Sequence, residues 1–285
     1  MQTPHVQRAS GGRLSSAGHT LVELLVVLLL FALVVAAIYA VLRTQQRFYA
    51  THVQVSDTRD AARIASQVLS HELRGLSPPG GDLYAIAGDS VSLRSVTGFG
   101  VICRRLGNTL GLWLVSGVFG DLPTDSVLVF VEGDADTALD DEWRVAGIQR
   151  SDRGGVGRCA DGDPPRVELA LDRELLGTEV GSPVRAFRPY TYRLYSGSDG
   201  NWWLGQRLRG GRLQPLAGPF AEPELGGLRL EALTAAGESA TDLAEINQVR
   251  VSVTARSYRP VQRAMGPGFY HDSLRTLAYL RNARR

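Results

Sequence analysis

The sequence predicts an α+β protein in which one long N-terminal helix packs on an antiparallel β-sheet domain. Three observations carry that prediction. The run Leu24–Leu42 has no charged residue and no Gly or Pro; an amphipathic stretch follows it to Arg74 without a break; and beyond residue 82 the helical period gives way to short β-rich runs separated by Gly, Asp and Pro. With 285 residues, 44% hydrophobic and 21% charged, a wholly disordered, collagen-like or disulfide-scaffold chain is excluded. All 31 basic residues are Arg against 29 acids, and a net charge of +2 is no ground for nucleic-acid binding without a local cluster.

The elements follow in chain order. Residues 1–18 are short and polar, with Arg8 and Arg13 and no acid, a bias that favours a cytoplasmic N-terminus. As a helix, Leu24–Leu42 spans roughly 28 Å, close to the hydrocarbon thickness of a bilayer. Only one such run exists, so the chain is anchored or signal-directed and not a multi-span transporter. An ordinary secretory signal has a shorter apolar core of about 7–15 residues, yet Val35-Ala36-Ala37 would serve a signal peptidase, and that reading stays open. Thr20 and Glu23 match a capping box, and a carboxylate in the first turn also suits the helix dipole.

After Leu42, Val41, Phe48, Val55, Ala62, Leu69 and Leu76 mark every seventh position, joined by Ala65 and Leu73, which makes one stripe down a helix. No Gly or Pro occurs from Thr20 to Arg74, so a single helix of about 55 residues, roughly 80 Å, is expected. It would cover residues 19–77, spanning a membrane at 21–42 and amphipathic at 43–76. Gly75 and Pro78-Pro79-Gly80-Gly81 stop it. The stripe would pack on a globular domain; a coiled-coil dimer is the competing reading, against which the intermediate positions are irregular.

Residues 82–285 form the β-rich domain, in one or two sheets. Strands are expected at Ser90–Ser95, Leu110–Ser116, Ser126–Glu132, Trp143–Ile148, Arg166–Leu171, Tyr190–Tyr195, Trp202–Arg207, Gly227–Ala232, Gln248–Ala255 and Leu274–Leu280. In Gln248–Val253 valines alternate with polar residues, as a half-buried antiparallel strand requires. Tyr190–Tyr195 and Trp202–Arg207 read as a hairpin with a loose turn at 196–200. Segments 133–142 and 150–165 read as exposed loops.

The junction Gly18-His19-Thr20-Leu21-Val22-Glu23, continued by Leu24-Leu25-Val26-Val27, resembles the type IV prepilin family. That family's signal ends in Gly and continues with an apolar first mature residue, Thr-Leu-[Val/Ile]-Glu and a long apolar helix; His19 stands where Phe or Met is usual. The resemblance implies cleavage by a prepilin peptidase between Gly18 and His19, methylation of the new amino group, and an assembly role for Glu23. Glycine would permit close backbone approach at the scissile bond. A lone carboxylate at the edge of an apolar helix is costly, and a neighbouring subunit's N-terminal ammonium would offset its desolvation. Ile64–Arg74, Trp202-Trp203-Leu204, Val249–Val253 and Leu280-Arg281-Asn282 look like the larger minor pilins of the PilW type and the type II secretion pseudopilin J.

By that resemblance the fold is pilin-like. The chain would be a non-enzymatic minor pilin or pseudopilin at or near the tip of a type IV pilus or type II secretion pseudopilus. A bulky β-domain would disrupt dense helical packing if repeated along a filament, but not at its tip. The implied partners are other minor pilins or pseudopilins, the major pilin, prepilin peptidase and the inner-membrane assembly platform, with a single pass through the inner membrane and an extracytoplasmic domain. The rival is a signal-anchored or secreted binding or hydrolytic protein unrelated to pili.

Other candidates are judged beside that reading. Cys103 and Cys159 lie in the part expected outside the cytoplasm, where disulfides persist. A bridge would close a loop of about 57 residues and contribute roughly 4 kcal/mol in the chain-entropy account; two unpaired thiols are the competing reading. The acidic run 132–142 does not fit an EF-hand, which needs an oxygen ligand at Ala138 and Gly at Leu139, and a solvated loop is expected. His71-Glu72 starts like a zinc-protease motif, but Gly75 occupies the second His position. His271-Asp272-Ser273 holds triad residue types that an extended chain points to opposite faces. Arg207-Leu208-Arg209-Gly210-Gly211-Arg212, with Trp202 and Trp203 nearby, has the ingredients for single-stranded DNA; solvated arginines at a hairpin end are favoured, and nucleic acid is not expected. No cofactor, metal or catalytic residue is assigned.

Overall fold

The structure is a computed structural model, and it describes residues 20–120, 122–133, 141–155, 157–263 and 266–281. The chain divides into two units, Met1–His52 and Val53–Arg285. Helix α1, Leu21–Arg74, has residues in both. Its bounds fall inside the expected 19–77, and the leader 1–18 lies outside the described residues.

In the first unit the helix starts at a capped end. The Glu23 N–H donates to Thr20 Oγ1 at 3.3 Å, and the Leu24 N–H donates to the Thr20 carbonyl at 3.2 Å, satisfying amides that a helix start leaves open. Farther on, Thr44 and Thr51 donate their hydroxyls to Ala40 O and Arg47 O, each at 3.0 Å. Where the apolar run ends, Arg43 lies over the Tyr39 ring at 5.7 Å.

In the second unit α1 buries Thr58, Ala61, Ala62, Ala65, Ser66, Leu69, Ser70 and Leu73, positions three and four apart that make one face. The small residues come first and the leucines later, so the face is flat at one end and deep at the other. Leu69, Leu73 and Leu76 are fully buried, each contributing roughly 1.5–3 kcal/mol of apolar transfer. After Arg74 the chain turns through Pro78–Gly81, where the Gly81 N–H reaches Pro78 O at 3.0 Å and Gly81 takes φ 72°. The turn is pinned by Asp82, which is buried and accepts from the Ser77 N–H at 2.9 Å, from Arg185 at 3.2 Å and from Arg94 at 3.5 Å.

The strands are β1 (Leu83–Ala87), β2 (Ser90–Leu106), β3 (Thr109–Gly117), β4 (Ser126–Val131), β5 (Glu142–Arg153), β6 (Val167–Leu171), β7 (Pro183–Ser196), β8 (Trp202–Leu208), β9 (Gln214–Phe220), β10 (Leu228–Leu233), β11 (Gln248–Arg256), β12 (Val261–Arg263), β13 (Gly266–Gly268) and β14 (His271–Tyr279). Twelve belong to one antiparallel sheet; β12 and β13 pair apart as a ribbon. Six of the pairings close a circuit: β2 with β3, β3 with β6, β6 with β5, β5 with β4, β4 with β7, and β7 with β2 again. The circuit is a small barrel, and its interior holds Ile102, Leu112, Val127, Val129, Ala146, Leu169, Val184 and Ala186 among others. Eight strands leave room for little more than side chains, and six are filled by them.

The remaining halves of β2 and β7 join β1, β8, β9, β10, β11 and β14 to form the sheet that α1 covers. Val91, Leu93, Tyr192, Leu194, Leu204 and Phe220 meet Ala62, Ala65, Leu69 and Leu73 there in a second core. Along β11, Val249, Val251, Val253 and Ala255 are all buried, with partly exposed residues between them. The architecture is α+β, a long N-terminal helix packed on an antiparallel sheet.

Several expectations need correction. β2 and β7 run well beyond Ser90–Ser95 and Tyr190–Tyr195, because the sequence signal in their barrel halves is broken. Gly98 and Gly100 interrupt the alternation of β2, and a Cβ at either would come within 2.7 Å of Val118 O or 2.8 Å of Trp113 O. Register shifts occur at Val96/Gly98, Phe99/Gly100 and Ile102/Arg104, the irregularities by which a sheet bends and closes. β1 was not expected, and β9 was hidden by Pro215 and Pro219, residues that usually argue against a strand. Segment 150–165 is not all loop, since β5 runs to Arg153.

Candidate functional site

The functional residues expected at the N-terminus are split by the bounds of the structure. Gly18 and His19 lie outside the described residues, while Thr20 and Glu23 are described. Thr20 caps the helix through its hydroxyl, which leaves the Glu23 carboxylate in the first turn and on the surface. From Leu21 to Leu42 the helix is apolar on all sides apart from Glu23 in its first turn. Its large residues expose between 47% (Val35) and 79% (Leu21) of their surface within this chain. A helix apolar all round belongs in a bilayer or against other helices, and this one is long and apolar enough to cross a membrane. Tyr39 and Arg43, at the end of the run, are residue types that favour the membrane interface.

Cys103 and Cys159 form a disulfide with Cα atoms 5.0 Å apart. Both residues are buried. Cys159 belongs to a tight turn, its N–H donating to Asp163 O at 2.7 Å and its carbonyl accepting from the Gly162 N–H at 2.9 Å. The bond fastens this turn to β2 on the barrel. Nearby, Arg104 pairs with Glu168 at 3.2 Å.

Of the acidic run, residues 134–140 lie outside the described residues. Its ends meet where the Gly133 N–H donates to Asp141 Oδ1 at 3.2 Å. Among the described residues no group of three or more His, Cys, Asp or Glu is arranged to hold a metal ion.

His271, Asp272 and Ser273 open β14 and do not converge. Ser273 Oγ bonds Thr254 Oγ1 at 3.0 Å, and Asp272 accepts from the Tyr270 hydroxyl at 3.4 Å. Burial, with Arg263 and Arg256 nearby, holds His271 below the usual imidazole range. On α1, His71 is exposed. Glu72 lies near the buried Tyr192, whose phenol is pushed up by burial first and by that carboxylate second, and whose oxygen accepts from Gln206 Nε2 at 2.9 Å.

The Trp202–Arg212 cluster is divided between two faces. Trp202 packs against the core beneath α1. Trp203 donates Nε1–H to Asp199 Oδ1 at 3.2 Å. Asn201 and Trp203 hold the Asp199 carboxyl below its ordinary value. Arg207 and Arg209 line a shallow cleft of about 460 Å³ with Tyr84, Ser92, Tyr190 and Thr191.

Two buried carboxylates had no signal in the sequence. Asp82 is one; Asp125 is the other, paired through both oxygens with Arg188, one bond at 2.8 Å, and accepting from the Leu122 N–H at 3.1 Å. Each ties a loop to β7. Their partners lie 103 and 63 positions away, beyond any local pattern.

The family described as a prokaryotic N-terminal methylation motif matches residues 13–39. No curated protein and no solved structure matches the chain. The matched residues include the Gly18-to-Glu23 junction and most of the exposed apolar helix, so this N-terminal segment is similar to that of type IV prepilin-like proteins and continues as a helix long and apolar enough to cross a membrane.

Proposed function

We propose that the chain is a minor pilin or minor pseudopilin, a structural and non-enzymatic subunit at or near the tip of a type IV pilus or type II secretion pseudopilus. Prepilin peptidase cuts between Gly18 and His19, and His19 is methylated on its new amino group. The helix to Leu42 holds the subunit in the inner membrane, with the β-domain outside the cytoplasm, until the assembly platform moves it into a filament beside other minor subunits and the major pilin. Glu23 accepts a charge-assisted bond from a neighbour's N-terminal ammonium.

The observation that carries this reading is the methylation motif at residues 13–39, which runs into a membrane-length helix whose large apolar residues are exposed among the described residues. Cleavage ahead of such a helix keeps it on the mature protein, where it is available to neighbouring helices. The barrel enlarges the domain and favours a tip position over the repeated shaft. Mass spectrometry of the mature N-terminus from the native host is the test. A chain beginning at N-methylated His19 is expected; one beginning at Ile38, the product of an ordinary signal peptidase, overturns the proposal.

A further inference from the structure

Strand β14 lies at an edge of the sheet. It pairs with β11 from Gln248↔Tyr279 to Arg256↔His271 with no shift in register and, among the described residues, with no other strand. Backbone groups on an antiparallel strand face its partner at every second residue. The Leu280 N–H reaches Asn247 O at 2.9 Å, and Tyr270 O accepts from the Ser257 N–H at 2.8 Å, so the even-numbered residues face β11. The N–H groups of Ser273, Arg275, Leu277 and Tyr279 therefore face the open edge. Proteins usually guard such an edge with Pro, a bulge, a very short strand or charged side chains. β14 has nine residues, no Pro and no bulge, and carries charge only at Asp272 and Arg275.

Beside this edge is a cleft of about 460 Å³ between α1 and β14. Arg63, Ser70, His71 and Arg74 line it from the helix, Leu274 and Thr276 from the strand, and no carboxylate takes part. Neither arginine has an ion-pair partner among the described residues. Ser70 is only 6% exposed, and its hydroxyl has no hydrogen-bond partner among the described residues. A helical serine or threonine ordinarily bonds back to its own preceding turn, as Thr58 does to Gln54 O at 2.6 Å. The neighbouring Ser66 is satisfied by Thr276 at 2.7 Å. Ser70 alone on this face is left with a buried, unused polar group, which carries a desolvation cost.

We propose that the open edge of β14 and this cleft form one docking site for an extended, carboxylate-bearing segment of another protein subunit. The segment adds as a strand beside β14, taking its outward N–H groups. Its acidic side chain enters the cleft, accepts the Ser70 hydroxyl and meets Arg74 and His71. Strand addition supplies affinity through the main chain and selectivity through alternate side chains. The uncompensated positive lining selects an acid. The inference does not depend on entry into a filament.

The test uses the full chain in detergent micelles and a fluorescein-labelled decapeptide of alternating valine and glutamate, read by anisotropy and by hydrogen exchange. Saturable binding is expected, with slowed exchange at Arg275 and Leu277, and with binding at least tenfold weaker for a valine–lysine peptide. Leu277→Pro removes one outward N–H while leaving the β11 ladder intact, and Arg74→Glu reverses charge at an exposed helix position; each should weaken binding at least tenfold. Absence of saturable binding, equal affinity for the lysine peptide, or indifference to Arg74→Glu would overturn the proposal. So would a peptide-free dimer that Leu277→Pro dissolves, since the edge would then serve a second copy of this chain.

Discussion

Glu23 occupies an end of the helix that can satisfy it only in part. Its own N–H is taken by Thr20 Oγ1, while the carboxylate stands in the first turn, before an unbroken apolar surface. In water it is solvated and favours the helix dipole; at the edge of a bilayer or among packed helices it needs a cation. Glu23→Ala is therefore expected to leave cleavage after Gly18 largely intact and to lower the amount of this subunit in sheared filaments several-fold. Immunoblots showing wild-type incorporation would remove the charge-pair role. The residues of this segment were legible because they are contiguous. Asp82 and Asp125 were not, because what makes each special is an arginine brought from a distant strand, and no spacing rule spans such a gap.

At the scale of elements, α1 carries one stripe with one period but meets two different surroundings. Phe48 and Val41 belong to the same repeat as Ala62 and Leu69, yet the first two are 67% and 55% exposed and the second two buried. The period predicted the helix and its face; where the sheet begins to cover that face depends on strands far along the chain. Leu69→Ala should cost about 2–5 kcal/mol through lost transfer energy and a residual cavity, whereas Ile64→Ala, at a 44% exposed position, should stay within about 0.5 kcal/mol. Urea denaturation followed by tryptophan fluorescence distinguishes them, and equal midpoints would show that this face is not packed. Strands with clean alternation, such as β11, were legible almost to the residue. β9 and the barrel halves of β2 and β7 were not, since prolines, glycines and register shifts needed for closure erase the period-two signal.

At the scale of the whole molecule, the barrel is an excursion out of the helix-backed sheet. The chain leaves along β2 and returns along β7, and these strands lie side by side from Ser90↔Arg193 to Val101↔Pro183. Val96 and Phe187 face each other where the barrel begins, so a two-residue Asn-Gly turn joining them is of the kind that closes hairpins. A chain lacking residues 97–186 should keep the helix-backed core and unfold cooperatively, although it loses Arg185 from the Asp82 cluster. A broad, non-cooperative thermal transition by circular dichroism would show that the two cores depend on one another. The double crossing also has a mechanical meaning. Where two domains merely touch, a load pulls apart a surface; here it passes along two covalent backbones stiffened by hydrogen bonds to each other. A pull on the barrel is delivered to the sheet beneath α1 without an interface to slip, and the Asp82 cluster, gripping both strands beside the helix end, lies where that tension arrives.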